Sequence, residues 1–342
     1  MDHTRINTLQ DLANYLRCDL NFLRNAIDNE YTVTESRNVE GQLVILGHSP
    51  KNVQISRHRI KKKGNKGGHR IVHEIRTYQL ESSLKILNTY LAEIFKPCDN
   101  VHGFVKGLNT RTNAFVHLEK NYILSVDIKD YFETIPFEWV VEGLKRIGFK
   151  GHVAEWIGNI VTIDGYLVQG FCTSPTIANI VTEELDKKLK KFSSQRIDYT
   201  RYADDLYFSS NNEVPNLVAI KNLIENFGFQ LNHKKSKIMR RGQPQYVTGL
   251  TVFDSSRPRI AKKVKRNIRL EIYYLTTFGY YRHARRRLIN SGADPEGSEF
   301  NSQVLNEVEV TRNRLYGWLS YIYAIEPQFA ERYYEKIKRA KP

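Results

Sequence analysis

The run Tyr199-Thr-Arg-Tyr-Ala-Asp-Asp-Leu-Tyr-Phe-Ser209 decides how this chain folds. Tyr199, Thr200 and Tyr202 on one side and Leu206, Tyr207 and Phe208 on the other favour β structure, so the stretch reads as two short strands with Asp204 and Asp205 at the tip between them. Adjacent carboxylates turn a chain poorly. They repel one another and must each be solvated or neutralised, whereas Asn-Gly or Asp-Gly would make the turn easily. A divalent cation neutralises them. Tyr122-Ile-Leu-Ser-Val-Asp127, an apolar strand ending in an acid, supplies a third carboxylate, and Ile128-Lys-Asp-Tyr-Phe132 sets an aromatic platform beside it. Asp127, Asp204 and Asp205 on one open sheet suit two magnesium ions, hard cations that take oxygen ligands and leave places for substrate phosphates. Taken alone, these acids leave a plainer reading open: a solvated loop tip and an ordinary strand end.

Composition narrows the choice. The 342 residues are enough for one large domain or two to three smaller ones, and 41% hydrophobic content is ordinary for a folded protein. The net charge of +15 is not ordinary. It points to a polyanionic partner, with nucleic acid ahead of a membrane surface because 11% aromatic residues add stacking surface. Cys18, Cys98 and Cys172 lie far apart without metal-ligand spacing, so neither a disulfide frame nor a zinc site is indicated. With no signal peptide pattern and no apolar run of membrane-spanning length, a soluble cytoplasmic protein is expected.

Along the chain, residues 7–29 read as helical with Thr8 as N-cap, and 31–52 carry no usable pattern. Residues 56–76 read as a strand, a basic glycine-rich loop Lys61-Lys-Lys-Gly-Asn-Lys-Gly-Gly68, and a second strand. Such a hairpin suits closure over a triphosphate through Lys62, Lys63 and above all Arg70, which a strand holds in place. An exposed basic turn is the plainer alternative. Helices are expected at 78–95, 137–147, 153–163, 176–189 and 214–227, with Gly170 and Pro175 bracketing a loop around Gln169. Strands before and after paired helices give an α+β plan. From Arg257 onward the chain reads as helical and basic, with 18 Lys/Arg against 9 Asp/Glu and tyrosines interleaved, a composition suited to folded RNA. Trp318, Leu319 and Ile322 read as packing residues.

The order of these parts resembles bacterial reverse transcriptases of the retron group from about Ser56 onward. Tyr202-Ala-Asp-Asp205 looks like the family's catalytic hairpin, Asp127-Ile-Lys-Asp-Tyr-Phe132 like its first catalytic motif, and Gln169-Gly170 through Ser174-Pro175 like its base- and template-positioning loop. Asn113-Ala-Phe-Val-His117 and Val247-Thr-Gly249 match two elements particular to retrons. The usual Leu-Pro-Gln-Gly reads Leu167-Val-Gln-Gly170 here, Phe171-Cys172 stands where Ala-Pro is common, and Ile75 stands where a proline is frequent. These departures touch loop geometry and leave the charged chemistry intact.

The resemblance implies a right-hand polymerase: an N-terminal helical element (1–52), fingers (53–120), a first part of the palm (121–141), helices and a loop between fingers and palm (142–170), the rest of the palm (171–256) and a basic helical thumb (257–342). It implies metal ligands at Asp127, Ile128, Asp204 and Asp205, and a lysine near the leaving group at Lys235. Substrate contacts fall to Arg70, Lys62, Lys63, Ile128, Phe132, Gln169 and Gly170, with Phe132 selecting deoxynucleotides sterically. RNA contacts fall to Asn113, His117, Arg285, Arg286, Arg287, Arg312 and Arg314. The implied reaction is RNA-directed DNA synthesis on a cognate structured RNA, self-primed from an internal guanosine 2′-hydroxyl to leave a branched RNA–DNA product, in phage defence alongside a separately encoded effector. Two rivals stay open: a group II intron or diversity-generating reverse transcriptase, and a nucleic-acid-binding scaffold that restrains an effector.

Overall fold

The structure, a computed structural model, describes residues 3–28, 32–37, 43–48, 54–62, 68–193 and 196–340. The chain forms two compact units, Met1–Asn109 with Ile123–Ile238, and Thr110–Tyr122 with Met239–Pro342.

The first unit opens with helices α1 (Leu9–Leu16) and α2 (Leu20–Ile27) in place of the single helix expected over 7–29. Thr8 does cap α1: its hydroxyl accepts from the Asp11 amide, and the Asp11 carboxylate accepts from the Thr8 amide in return. The break comes at Arg17, which takes a left-handed φ of 55°, and Asp19 then starts α2 by accepting from the Asn21 and Phe22 amides. Four antiparallel strands follow in chain order, β1 (Thr32–Arg37), β2 (Leu43–His48), β3 (Gln54–Lys61) and β4 (His69–Ile75). Two of them lie in the stretch 31–52 where the sequence pattern is weak. The basic hairpin expected over 56–76 is β3 and β4, registered from Ile55 opposite Ile75 to Lys61 opposite His69. Lys63 lies outside the described residues.

Helix α3 (Tyr78–Ile94) buries Leu80, Leu84, Leu87 and Leu91 and stops short of Pro97. Helix α4 (Thr110–Phe115) belongs to the second unit. The chain then forms β5 (Tyr122–Asp127), α5 (Phe137–Arg146), α6 (Gly151–Val161), the small hairpin β6 (Thr162–Ile163) and β7 (Tyr166–Leu167), α7 (Ser174–Ser193), β8 (Asp198–Tyr202), β9 (Asp205–Ser210), α8 (Leu217–Phe227) and β10 (Lys237–Arg240). Gly228, at φ 114°, ends α8 as its sequence position predicts. The central sheet has the order β10-β5-β9-β8. One continuous core joins Leu124 and Val126 of β5 and Leu206 and Phe208 of β9 to Ile177, Ile180, Val181 and Leu185 of α7. Each such side chain contributes about 1.5–3 kcal/mol by leaving water, so the sheet that carries the acids rests on a stiff helical bed.

In the second unit, β11 (Tyr246–Val247), β12 (Leu250–Thr251) and β13 (Arg259–Ile260) form a small antiparallel sheet, followed by α9 (Lys262–Phe278), α10 (Tyr280–Asn290), α11 (Phe300–Tyr323) and α12 (Pro327–Lys338). Glu326 joins sheet to helices, accepting from the Ile260 amide at 2.8 Å and from Lys265 at 2.8 Å. Leu319 and Ile322 pack in the interior as expected. Trp318 does not: it is exposed, edge-on to Tyr321, because it falls on the outer face of α11. Among the described residues no helix is long and apolar enough to cross a membrane.

Candidate catalytic site

Strand pairing brings the three acids together. Tyr202 pairs with Asp205, so the β8–β9 turn is Ala203-Asp204, and Asp205 opens β9 where an Asp204-Asp205 tip was expected. The positive φ that this two-residue turn demands falls on Ala203, at 57°. Close packing supports that conformation: a Cβ on Gly103 would lie 2.3 Å from the Ala203 nitrogen, so only glycine lets the 100–103 segment approach. β5 lies next to β9 in the sheet and ends at Asp127. Main-chain bonds then wire the pieces together: the Ile128 amide donates to the Asp204 carbonyl at 2.9 Å, Lys129 to Gln230 at 2.8 Å, and Asn232 to Asp127 at 2.8 Å. The side chain of Ile128 is buried, so its main chain is the part that faces this junction.

The electrostatics are those of crowded carboxylates. Burial first, then Asp204 and Asp127, push the Asp205 carboxyl up to about 7. Burial and Asp127 also raise Asp204, against the pull of Lys235 and Arg70. Lys235 Nζ lies 2.6 Å from Asp127 Oδ2. Burial opposes its charge, but the Asp127 bond and the neighbouring acids hold the ammonium above the usual lysine value, so it keeps its proton at neutral pH. Among the described residues no three Asp, Glu, His or Cys side chains converge on one point, and one oxygen of Asp127 faces Lys235. The donors nonetheless fit a divalent cation in kind. All are carboxylate oxygens, Asp127 and Asp205 at strand ends and Asp204 in the turn between β8 and β9, and their mutual repulsion is what a hard cation relieves.

Other sequence-predicted residues surround this centre. Arg70 is exposed on β4, its charge acting on Asp204. Lys62 is exposed and pairs with Asp130 at 3.3 Å. With Lys129, Asn232, His233 and Lys234 these two line a cleft of about 670 Å³. Phe132 is half-buried, tilted against Tyr131 and Phe104. The main chain of Gln169 is clamped to β4, its carbonyl accepting from the His73 amide at 2.7 Å. His73 is buried, and burial followed by the Arg57 charge lowers it to about 4, so it is neutral. Gly170, at φ 113°, sits so close that a Cβ would lie 2.0 Å from the His73 carbonyl oxygen. Gly170→Ala should therefore destabilise the protein by at least ~2 kcal/mol and displace the Gln169 loop, seen as a lower melting temperature together with weaker nucleotide use.

The two retron-type elements meet in the second unit. Thr248 and Gly249 form the two-residue turn between β11 and β12 with φ of 46° and 81°, an unfavourable geometry for β-branched threonine. The Thr248 hydroxyl donates to the Thr110 carbonyl at 2.9 Å, tying the turn to α4. Asn113 and His117 are fully buried there, and neither side-chain polar atom of Asn113 has a hydrogen-bond partner. The helical arginines differ in environment. Arg287 bonds Glu271 at 3.3 Å and Glu307 at 3.2 Å, and Arg314 also pairs with Glu271. Burial works against the Glu271 charge, but His283, Arg314 and Arg287 outweigh it and hold its carboxyl at about 2. Arg285 and Arg312 are exposed, lying over the Phe300 and Tyr280 rings at 5.8 and 5.2 Å. Arg286 lines a pocket of about 420 Å³ with Tyr274, Phe278, Arg282 and His283.

Sequence reading missed the support behind the Ala203-Asp204 turn. Arg201 and Asp186 form a fully buried pair, Nη2 to Oδ2 at 2.6 Å and Nε to Oδ1 at 2.8 Å. Arg201 Nη1 also donates to Tyr131 Oη and Asn179 Oδ1, both at 3.0 Å, and to the Ala203 carbonyl at 3.3 Å. An arginine inside a β-favouring run, two positions before the turn, is the signal that marks it.

Comparison with known proteins gives the family. Residues 60–270 match the family described as reverse transcriptase (RNA-dependent DNA polymerase). The chain is 29% identical over 299 residues to the retron Mx65 reverse transcriptase of Myxococcus xanthus, covering 81% of this chain and 62% of that one. It is 30% identical over 302 residues to the retron Ec73 reverse transcriptase of Escherichia coli, covering 80% and 85%. A telomerase from Candida albicans, solved with a fragment of telomeric RNA, aligns at a TM-score of 0.43 and 12% identity over 92% of this chain and 69% of that one. The family match over residues 60–270 and the similarity to two retron enzymes place this chain among the retron reverse transcriptases, RNA-directed DNA polymerases with the mixed helix-and-sheet fold of a right-hand polymerase, in a family that generally uses divalent metal ions.

Proposed function

We propose that this chain reverse-transcribes its own cognate structured RNA, priming from the 2′-hydroxyl of an internal guanosine to give branched RNA–DNA. The observation that carries the polymerase part is the joining of Asp127, Asp204 and Asp205 at adjacent strand ends by the Ile128–Asp204 main-chain bond. The three acids, with the Ile128 main chain, would hold two magnesium ions, which supply Lewis-acid stabilisation of the phosphoryl group and activation of the primer hydroxyl. Lys235, protonated and within reach of Asp127, donates a proton to the leaving pyrophosphate. Arg70, Lys62 and Lys63 neutralise the triphosphate, and the cleft bearing Lys62, Lys129 and Lys234 offers anions a basic path beside the site. Phe132 blocks a ribose 2′-hydroxyl, and Gln169 and Gly170 position the base.

The RNA partner is assigned to the second unit. Arg285, Arg286 and Arg312 are free of acidic partners in the contacts described above and suit phosphate contacts, while Tyr274 and Phe278 offer stacking surfaces. Arg287 and Arg314 are held by Glu271, and Asn113 and His117 are buried, so these four act by shaping the surface that RNA meets. The similarity to the retron Mx65 and retron Ec73 reverse transcriptases supports the retron assignment. Function in the cytoplasm, in anti-phage defence with a separately encoded effector, completes the proposal.

Primer extension on an RNA template with deoxynucleotides and magnesium tests the polymerase reading: the wild-type chain makes DNA, and an inert protein refutes it. In the same assay Lys235→Ala should lower kcat by about 10²-fold with little change in nucleotide KM, as loss of a general acid does.

A further inference from the structure

The Gln169 loop is held by more than its own backbone. Its main chain is fixed by the His73 amide and by Gly170, which leaves only the side-chain torsions free. Those torsions are taken up by Glu133, which follows Phe132 in the first catalytic motif: Gln169 Nε2 donates to Glu133 Oε1 at 2.9 Å. A carboxylate accepts only, so this bond fixes which end of the amide points where. The N–H edge turns to Glu133, and the carbonyl oxygen is left as the acceptor on the opposite edge. Gln169 itself is only partly buried.

Glu133 is a poor choice on stability grounds. Its second oxygen is buried with no hydrogen-bond partner. Burial first, and then the like charge of Asp130, raise the carboxyl above its usual range against the pull of its own backbone amide, Lys62 and the Gln169 bond. A half-buried carboxylate with one unmatched oxygen costs the fold free energy, so packing does not explain it. Orientation of a neighbouring ligand does.

We propose that Glu133 is a positioning residue for the incoming nucleotide: its carboxylate sets the amide of Gln169 so that the Gln169 carbonyl oxygen faces the substrate and accepts from one of its N–H or O–H donors. The inference rests on the reading of Gln169 as a nucleotide ligand. It adds the residue that orients this ligand and the polarity that the ligand presents.

Steady-state extension of a primer on an RNA template, with the full chain, tests it. Glu133→Ala frees the amide and should raise the nucleotide KM about tenfold while kcat stays within about twofold, because only preorganisation of binding is lost. Glu133→Gln, which still offers an acceptor, should recover most of this. The melting temperature of Glu133→Ala should equal or exceed that of the wild type. In a Gln169→Ala background Glu133→Ala should add nothing, since the pair acts through one group. A fall in melting temperature that accounts for the activity loss, or effects that add in the double variant, would overturn the proposal by making Glu133 structural or independent. Wild-type KM in Gln169→Ala itself would instead remove the reading of Gln169 on which the proposal stands.

Discussion

Asp205→Asn should abolish DNA synthesis, lowering the rate by ~10³-fold or more, and at the same time make the metal-free protein melt at a higher temperature than the wild type at pH 8. Both effects have one cause. Burial, Asp204 and Asp127 force the Asp205 carboxyl up to about 7, so ionising it in the folded chain is costly. A folded-state value above the unfolded value contributes stability that is fully present below about pH 4 and lost as pH rises through about 7. The wild type and Asp205→Asn should therefore melt together near pH 4 and separate by pH 8, by on the order of 2 kcal/mol for a half-buried group. Calorimetry from pH 4 to pH 8 in chelator reads the separation directly. A variant that loses activity and melts lower at every pH would mean that Asp205 serves the fold and not the cation.

The second large effect lies behind the turn. Arg201→Met leaves Asp186 charged in the interior with its cation gone and the Tyr199 hydroxyl still donating to it, which costs about 3–5 kcal/mol and should lower the melting temperature by on the order of 10 °C. Polymerisation should be lost too, because the guanidinium that supports Ala203 at positive φ is gone. Arg201→Met with Asp186→Leu separates the two roles. Replacing both charges with apolar groups restores much of the stability. It returns no donor to the Ala203 carbonyl, so activity should stay low. Recovery of full activity with stability would show that the catalytic turn needs only a packed floor.

These residues also show what the sequence could tell. The carboxylates, the hairpin strands and the helix at 78–94 were legible because each is a local pattern of charge, β-favouring residues or apolar spacing. The break at Arg17 was hidden because apolar spacing runs on through Leu16, Leu20 and Leu23, so periodicity does not register one left-handed residue between two short helices. The placing of the turn at Ala203-Asp204 depends on Gly103 and Arg201, and Gly103 lies 100 positions away in sequence. Glu133 and Gln169 are separated by 36 positions, and Thr110 and Thr248 by 138. No local pattern announces such contacts. The assignment of arginines to RNA rested on charge, and charge alone does not distinguish Arg286, beside an aromatic pocket, from Arg314, paired with Glu271.

The most direct measurement is of the nucleic acid that the protein carries. Purified from cells with its native genomic neighbourhood, the wild-type chain should yield a discrete DNA whose mobility shifts after RNase and again after 2′–5′ debranching, and which is absent from the Asp204→Ala/Asp205→Ala protein. Linear RNA alone on a wild-type protein that still extends an added primer would contradict self-priming and leave a reverse transcriptase of another kind.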